Sequence, residues 1–395
     1  MLTTCLLLFA SDFFTIGNVF LLFGLLYVLF QQKGIAFTSD FWLLMLFSFV
    51  FSVVDLYVNH TLNFLVFLYP LAHLLGANIL QNPTKVGIKR LLKILSIGMA
   101  LHGILNFAYE TILLKGFNYS SLHYDIWSRS LAGVTGQMTN YVFLLSFAGA
   151  CIFYSRKYGW ISLMIIIGTV HAVLGGSRTY IVMLGVSIGI GLLFDFLIRK
   201  EKRLKRICWF LLASGGIALF VWVAYKNDWL GIRSFWTSSY LYHRLFSEYA
   251  KINHRGMFTT GRWATKLDYI KLLLVYPLGG NHIRKQVGWY AHDIWLDTAD
   301  KVGILPSILI VLYTLRIIIR GIKYAFYEGV SLEDKMIFAS YALLITVQFL
   351  MEPVLSSAPQ FFQAVCMLDG MLSLYLDSKS RSKNFQGLEN KRINV

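Results

Sequence analysis

Long apolar runs, separated by short polar loops, limit this chain to very few folds. They fall near residues 12–30, 41–58, 61–80, 91–114, 131–153, 159–174, 179–198, 207–225, 303–319, 336–351 and 360–376. A helix of about twenty apolar residues crosses the roughly 30 Å hydrocarbon core of a bilayer. Inside lipid the backbone must satisfy its own polar groups, and the runs lack the period-two alternation of a barrel strand. The expected fold is therefore an all-α polytopic membrane protein with about 11 spans, ten to twelve allowing for error. With 57% hydrophobic and 14% charged residues, a soluble domain is excluded.

The net charge of +16 raises nucleic acid as a partner, but the basic residues follow the loops. Lys85, Lys89, Arg90 and Lys93, then Arg156 and Lys157, the run RKEKRLKR at 199–206, then Arg316, Arg320 and Lys323, and the tail beyond Asp377 all fall on one side of the span pattern. The positive-inside rule makes that side cytoplasmic, so no nucleic acid partner is expected. Residues 115–130, 175–178, 226–302 and 352–359 are then external. Cys5, Cys151, Cys208 and Cys366 all sit in apolar segments without metal-ligand spacing, which reads as core packing. Residues 1–11 are too short to span and lack the basic start and cleavage site of a removable signal, so the first apolar segment is expected to be retained.

Four regions follow. Residues 1–225 form an N-terminal transmembrane bundle of about eight spans, 226–302 an external loop, 303–376 the C-terminal spans and 377–395 a cytoplasmic basic tail. The loop is far longer than its neighbours. Within it RWATKLDYIKLLLVY spaces Trp263, Leu267, Ile270 and Leu274 along one helical face, with Lys266 and Lys271 off that face, before Pro277 and PLGGN end the helix. This is an amphipathic helix lying on the bundle or the membrane surface.

Three cationic or cation-capable residues open helices on the outer side. Arg178 in LGGSRTYIVML sits at the outer boundary of a span, where Ser177 caps the helix and Gly175 and Gly176 let backbone amides approach a ligand. The alternative is an arginine reaching for headgroups. Arg262 in FTTGRWATKL follows Thr259, Thr260 and Gly261 at the start of the amphipathic helix, against the positive end of the macrodipole; a bound anion reverses that sign. His292 precedes the short helix that Asp293 begins and that ends near Gly303, with Asp297 and Lys301 as a surface pair. Arginine forks match phosphate oxygens, so the set points to an external site for a lipid-linked phosphate or diphosphate. Arginines there stabilise leaving-group charge while the histidine takes a hydroxyl proton. External carboxylates do not cluster as a magnesium site, so no metal and no cofactor is expected. His243, His254 and His282 read as structural or surface groups.

These stretches resemble the O-antigen polymerase and O-antigen ligase family, the Wzy-like membrane glycosyltransferases. The matching pieces are GGSRTYIVML, TGRWATKLDYIKLLLVYPLGGN and HDIWLDTADKVGILPSILI, in the family's order across about residues 165–320. The resemblance implies a GT-C-like enzyme of the bacterial cytoplasmic membrane, with an undecaprenyl-diphosphate-linked oligosaccharide as donor and acceptor and no metal. Arg178 and Arg262 would hold the diphosphate and His292 would be catalytic. Asp293 departs from the asparagine or serine more frequent in the family. Gly176, Ser177, Arg284 and Glu352 are substrate-contact candidates, with a capped, water-facing acid the alternative for Glu352. A chain-length regulator and a flippase are candidate partners, besides membrane lipid. Polymerase is preferred over ligase. A lipid-linked oligosaccharide flippase or other transporter is the reading from another class, and it would carry organised ionisable groups inside the spans. Glu110, His171, Asp195 and Asp369 are scattered along the sequence there.

Overall fold

The computed structural model describes residues 1–32, 34–81, 86–114, 122–198, 219–246 and 262–393, with positions 212, 215 and 216 besides. Among them six helices are long and apolar enough to cross a membrane: Ser39–Asn59, Phe64–Gln81, Ile88–Leu114, Arg178–Leu197, Ile304–Ala325 and Leu332–Met351. Two shorter apolar helices, Gly17–Gln31 and Gly159–Gly175, accompany them. The protein is an all-α multi-pass membrane protein, apart from a small antiparallel hairpin that pairs Leu122–Tyr124 with Leu131–Gly133. The Ser39–Asn59 helix shows the sorting of faces: Leu44, Phe47 and Phe51 are buried, while Trp42, Leu46, Phe49 and Val53 are exposed. An apolar outer face suits lipid.

Two expectations need correction. The run 131–153 is not one span but three short helices, Val134–Thr139, Val142–Leu145 and Ala148–Phe153. Its TGQMTN portion is polar, and Gln137 Oε1 accepts a hydrogen bond from Asn106 Nδ2 at 2.6 Å. The run 207–225 is described only at 212, 215, 216 and 219–225, and the RKEKRLKR segment lies outside the described residues.

The chain divides into two compact units, the first made of residues 1–102, 262–330 and 341–395, the second of 103–261 and 331–340. Segment 226–302 is shared: 226–261 belongs to the second unit and 262–302 to the first.

In the first unit the Leu68–Gln81 helix packs on the Pro359–Ile393 helix so closely that a Cβ on Gly76 would stand 1.7 Å from the Met367 carbonyl oxygen. Arg316 and Arg320, expected as loop cations, lie within the Ile304–Ala325 helix. Buried carboxylates hold them there. Arg316 Nη1 donates to Asp40 Oδ1 at 2.7 Å, and Arg320 donates to Asp369 Oδ1 at 2.6 Å and also to Asp40. His73 joins this group, 3.4 Å from Asp369 and hydrogen-bonded to Thr38 and Tyr313. Each charge in this apolar interior has a counter-charge, the condition for burying any of them.

In the second unit Glu333 receives Lys157 Nζ at 2.8 Å on both oxygens, and Tyr158 also donates to it. Tyr141 and Tyr180, both fully buried, meet edge to face at 5.9 Å.

Candidate functional site

The Ile294–Val302 helix organises the part of the first unit around His292. Asp293 caps it, accepting from Leu296 N–H at 2.7 Å, as its place before an apolar run predicts. At the other end Gly303 stands at φ 81, ψ −178, a backbone region essentially closed to other residues. A Cβ there would lie 2.5 Å from the Pro277 carbonyl oxygen. The helix is fixed to its surroundings from several sides. Trp295 Nε1 donates to Thr314 Oγ1 at 2.9 Å, and Asn59 Nδ2 donates to the Lys301 carbonyl at 2.9 Å.

His292 sits immediately before this helix with φ at 57°, in the left-handed region. For a residue with a Cβ that conformation costs about 1–2 kcal/mol, and such strain concentrates at functional positions. Asp297, one turn into the helix, holds the turn on both sides. Its Oδ1 accepts from Ala291 N–H and its Oδ2 from Asp293 N–H, each at 3.0 Å. Asp297 therefore does not pair with Lys301 as the spacing suggested; Lys301 lies 3.6 Å from Asp55 instead. Burial, helped by the nearby Asp293 charge, pushes the Asp297 carboxyl up to about 7 against the pull of those two N–H bonds. Burial also raises Asp293 and Asp300, opposed in Asp293 by the Leu296 N–H and Lys266.

The Arg262–Leu273 helix belongs to this unit as well. The Arg262 side chain and the preceding 259–261 lie outside the described residues. The apolar stripe expected on this helix points outward: Trp263, Leu267, Ile270 and Leu274 are all more than half exposed. The opposite face packs inward through Tyr269 and Lys266, which are 0% and 8% exposed. Tyr269 Oη donates to the Trp289 carbonyl at 2.6 Å. Lys266 Nζ lies 3.1 Å from Asp293 Oδ2 and donates to the Leu350 carbonyl at 2.6 Å. One buried ammonium thus joins the helix that Arg262 opens, the turn that carries His292 and the end of the helix before Glu352. Glu352 is itself buried, at 4% exposure, rather than water-facing.

Arg284 also reaches this region. Its guanidinium lies 4.7 Å from the Tyr290 ring centroid, and the Tyr290 ring is 6.2 Å from that of His292. Asp300 Oδ1 accepts the backbone N–H groups of Ile283 and Arg284 at 3.0 and 3.2 Å. His282 stacks on Tyr276 at 5.2 Å. A cleft in the same unit is lined by Phe51, Tyr69, Asp297, Thr298, Lys301 and Ser356.

The second unit holds the Arg178 turn. Gly176 is left-handed at φ 76, Ser177 is buried and its Oγ accepts from Tyr180 N–H at 3.3 Å, and Arg178 opens the Arg178–Ile198 helix as its position predicts. The glycine is closed off by the chain's own residues. Arg244 Nη1 donates to the Gly176 carbonyl at 2.9 Å, and a Cβ on Gly176 would meet the Tyr240 ring at 2.6 Å. Arg178 belongs to the second unit, and His292, Arg262, Arg284 and Glu352 to the first.

Elsewhere in the second unit Glu110, His123 and His171 bring one donor atom each to within 4.8 Å of one another. A hydrogen bond between Glu110 Oε2 and His123 Nδ1 at 2.6 Å joins a helix end to the hairpin, and the His171 ring of a second helix meets the His123 ring at 5.6 Å. Read from the sequence alone, Tyr290, Arg244 and His123 have no role, Lys266 lies off the apolar face, Asp297 lies at the surface, and Glu110 and His171 are isolated. Asp297 carried a usable signal, its i, i+4 spacing from Asp293 at a helix start; the others depend on long-range contacts. No protein-family model and no curated protein matches the chain.

Proposed function

We propose that this protein is a membrane glycosyltransferase, a polysaccharide polymerase using an undecaprenyl-diphosphate-linked glycan at the outer face of a bacterial cytoplasmic membrane. The observation that supports it most is the His292 turn: a strained histidine, braced on both sides by Asp297 and joined through Asp293 and Lys266 to the helix that Arg262 opens. In this reading the remaining spans, about ten once 131–153 is set aside, take a GT-C-like arrangement and present the loop outside.

The reaction needs only groups this chain supplies. His292 takes the proton of an acceptor sugar hydroxyl as its oxygen attacks the anomeric carbon. The bond from that carbon to the diphosphate breaks, and polyprenyl diphosphate leaves with the bonding pair. Arg262, in the unit that holds His292, contacts the diphosphate and stabilises its developing charge by two-pronged contact, a role the resemblance also gives to Arg178, and no metal enters the step. Arg284 and Tyr290 border the acceptor, and Glu352 contacts sugar.

The test is a gel of surface glycan from a deletion strain, with in vitro turnover of the purified chain on a lipid-diphosphate glycan. Loss of the ladder while one repeat unit is still exported supports the polymerase; long lipid-linked chains left untransferred support the ligase. In vitro, His292→Ala should lose about 10²- to 10⁴-fold in turnover while donor binding stays near that of the parent. Turnover above about a tenth of the parent rate refutes the base role.

One observation favours a transporter as the second reading. Ionisable residues scattered in sequence are organised in the fold, as Asp40, Arg320, Asp369 and His73 in one unit and Glu110, His123 and His171 in the other. Lipid-linked oligosaccharide accumulating on the cytoplasmic face of the deletion strain would select it.

A further inference from the structure

We propose that Glu110, His123 and His171 bind a divalent first-row transition ion of the zinc type, which fastens the Leu122–Gly133 hairpin to the two helices that carry Glu110 and His171. This does not rest on the glycosyl-transfer reading.

The donor set suits that ion class. Two imidazoles and one carboxylate form a mixed nitrogen and oxygen site, the kind that selects zinc and its neighbours over magnesium or calcium. All three side chains lie inside the unit, at 1%, 1% and 0% exposure, and each offers a ligand atom within 4.8 Å of the other two.

Outer contacts orient the ligands in the manner of a metal site. Glu110 Oε1 accepts from Tyr124 N–H at 3.0 Å, which fixes the carboxylate. His171 Nδ1 is hydrogen-bonded to Tyr141 Oη at 3.1 Å, so its coordinating atom is Nε2. Phe107 stacks on the His171 ring at 4.9 Å and the His123 ring meets it edge to face at 5.6 Å. Independently, Glu110 opens a single π-helical turn, Glu110–Leu114, at the end of a long helix. Such turns re-aim a side chain and are frequent at functional sites.

The change needed on binding is small. Glu110 Oε2 and His123 Nδ1 are hydrogen-bonded at 2.6 Å. Around a tetrahedral ion with bonds near 2.1 Å, two ligand atoms stand about 3.4 Å apart, so a separation of about 0.8 Å exchanges that hydrogen bond for two ligand bonds. The ion then ties together three separate elements, and its binding energy becomes stability of the unit.

The test uses full-length, tag-free protein in nanodiscs, stripped with chelator, exposed to Zn²⁺ and dialysed. Elemental analysis should return about one zinc per chain. His123→Gln, His171→Asn and Glu110→Gln should each retain less than about a tenth of that, while His243→Ala, an exposed histidine, retains it all. In case these variants fail to fold, Co²⁺ added to the unmodified stripped protein should give the visible bands of a four-coordinate site, displaced by one equivalent of Zn²⁺. Retention unaffected by the three substitutions, or no cobalt bands and no retained zinc in the unmodified protein, overturns the proposal.

Discussion

Replacing Lys266 by methionine keeps the length of the side chain and removes one charge from the centre of the first unit. The lysine stands 3.1 Å from Asp293 Oδ2 and 2.6 Å from the Leu350 carbonyl oxygen, with Asp293 3% exposed. Breaking a buried pair by removing one partner costs about 3–5 kcal/mol. Two effects reduce this. Burial already raises the Asp293 carboxyl, so the acid can take up a proton when its counter-charge goes, and methionine gains some apolar contact. A loss of about 2–4 kcal/mol remains, which lowers the melting temperature by about 5–10 °C for a unit of this size. Thermal unfolding of the nanodisc-embedded chain, followed by intrinsic fluorescence, reads it. Asp293→Asn should also destabilise, since it leaves the ammonium buried without a carboxylate. The double variant should melt above Lys266→Met alone, with a coupling of about 1 kcal/mol or more. A single variant within about 1 °C of the parent, or a double variant no better than the single, refutes the pair.

Asp297→Asn should flatten the pH dependence of stability. A carboxyl raised to about 7 in the fold contributes stability that is fully present below about pH 4 and lost as the pH rises through about 7, so the parent melting temperature should fall over that window more than the variant's. Equal slopes in the two proteins would count against the raised value. Arg178→Lys and Arg262→Lys should each lose most transfer activity at normal protein level, since a lysine is a point charge without the two-pronged fork; normal glycan ladders from both would remove the diphosphate role. Gly303→Ala should lower the melting temperature by several degrees, because it combines a closed backbone region with a Cβ 2.5 Å from a carbonyl oxygen; an unchanged melt would mean that the turn relaxes freely.

Signals set by near neighbours in sequence are legible in it. Apolar runs such as 41–58, 91–114 and 303–319 became helices, and the caps Ser177 and Asp293 accept from backbone amides three residues on. The stripe Trp263, Leu267, Ile270 and Leu274 shares one face, but periodicity does not say which side of a helix meets protein and which meets lipid. That depended on Tyr269 and Lys266 finding partners at Trp289, Asp293 and Leu350. Arg316 and Arg320 looked like loop cations because Asp40, nearly 300 residues earlier in the chain, carries no local mark as their counter-charge. Glu110 and His171 looked isolated for the same reason. A charge in an apolar run says that a partner is needed, not where it is. The run 131–153 failed differently: mean hydropathy passes over the polar TGQMTN portion, whose Gln137 bonds to Asn106.

The His292 turn bears on the choice between a transferase and a transporter. Its left-handed backbone costs about 1–2 kcal/mol, and the two amide bonds to Asp297, at about 1 kcal/mol each, are of the size needed to hold it. Lys266 anchors the neighbouring Asp293, while Arg284 over Tyr290 borders the ring. A general base requires this, since proton transfer is efficient only when the acceptor hydroxyl meets the imidazole in one fixed geometry. A transporter's moving parts require the opposite, two arrangements of similar energy about a central site. Seven other non-glycine residues among those described also have positive φ, His60 among them, so it is the bracing from both sides by Asp297, more than the backbone conformation itself, that suits the proposed base role of His292. The buried ion pairs of the helical interior, whose charges each have a partner, are also accounted for as packing.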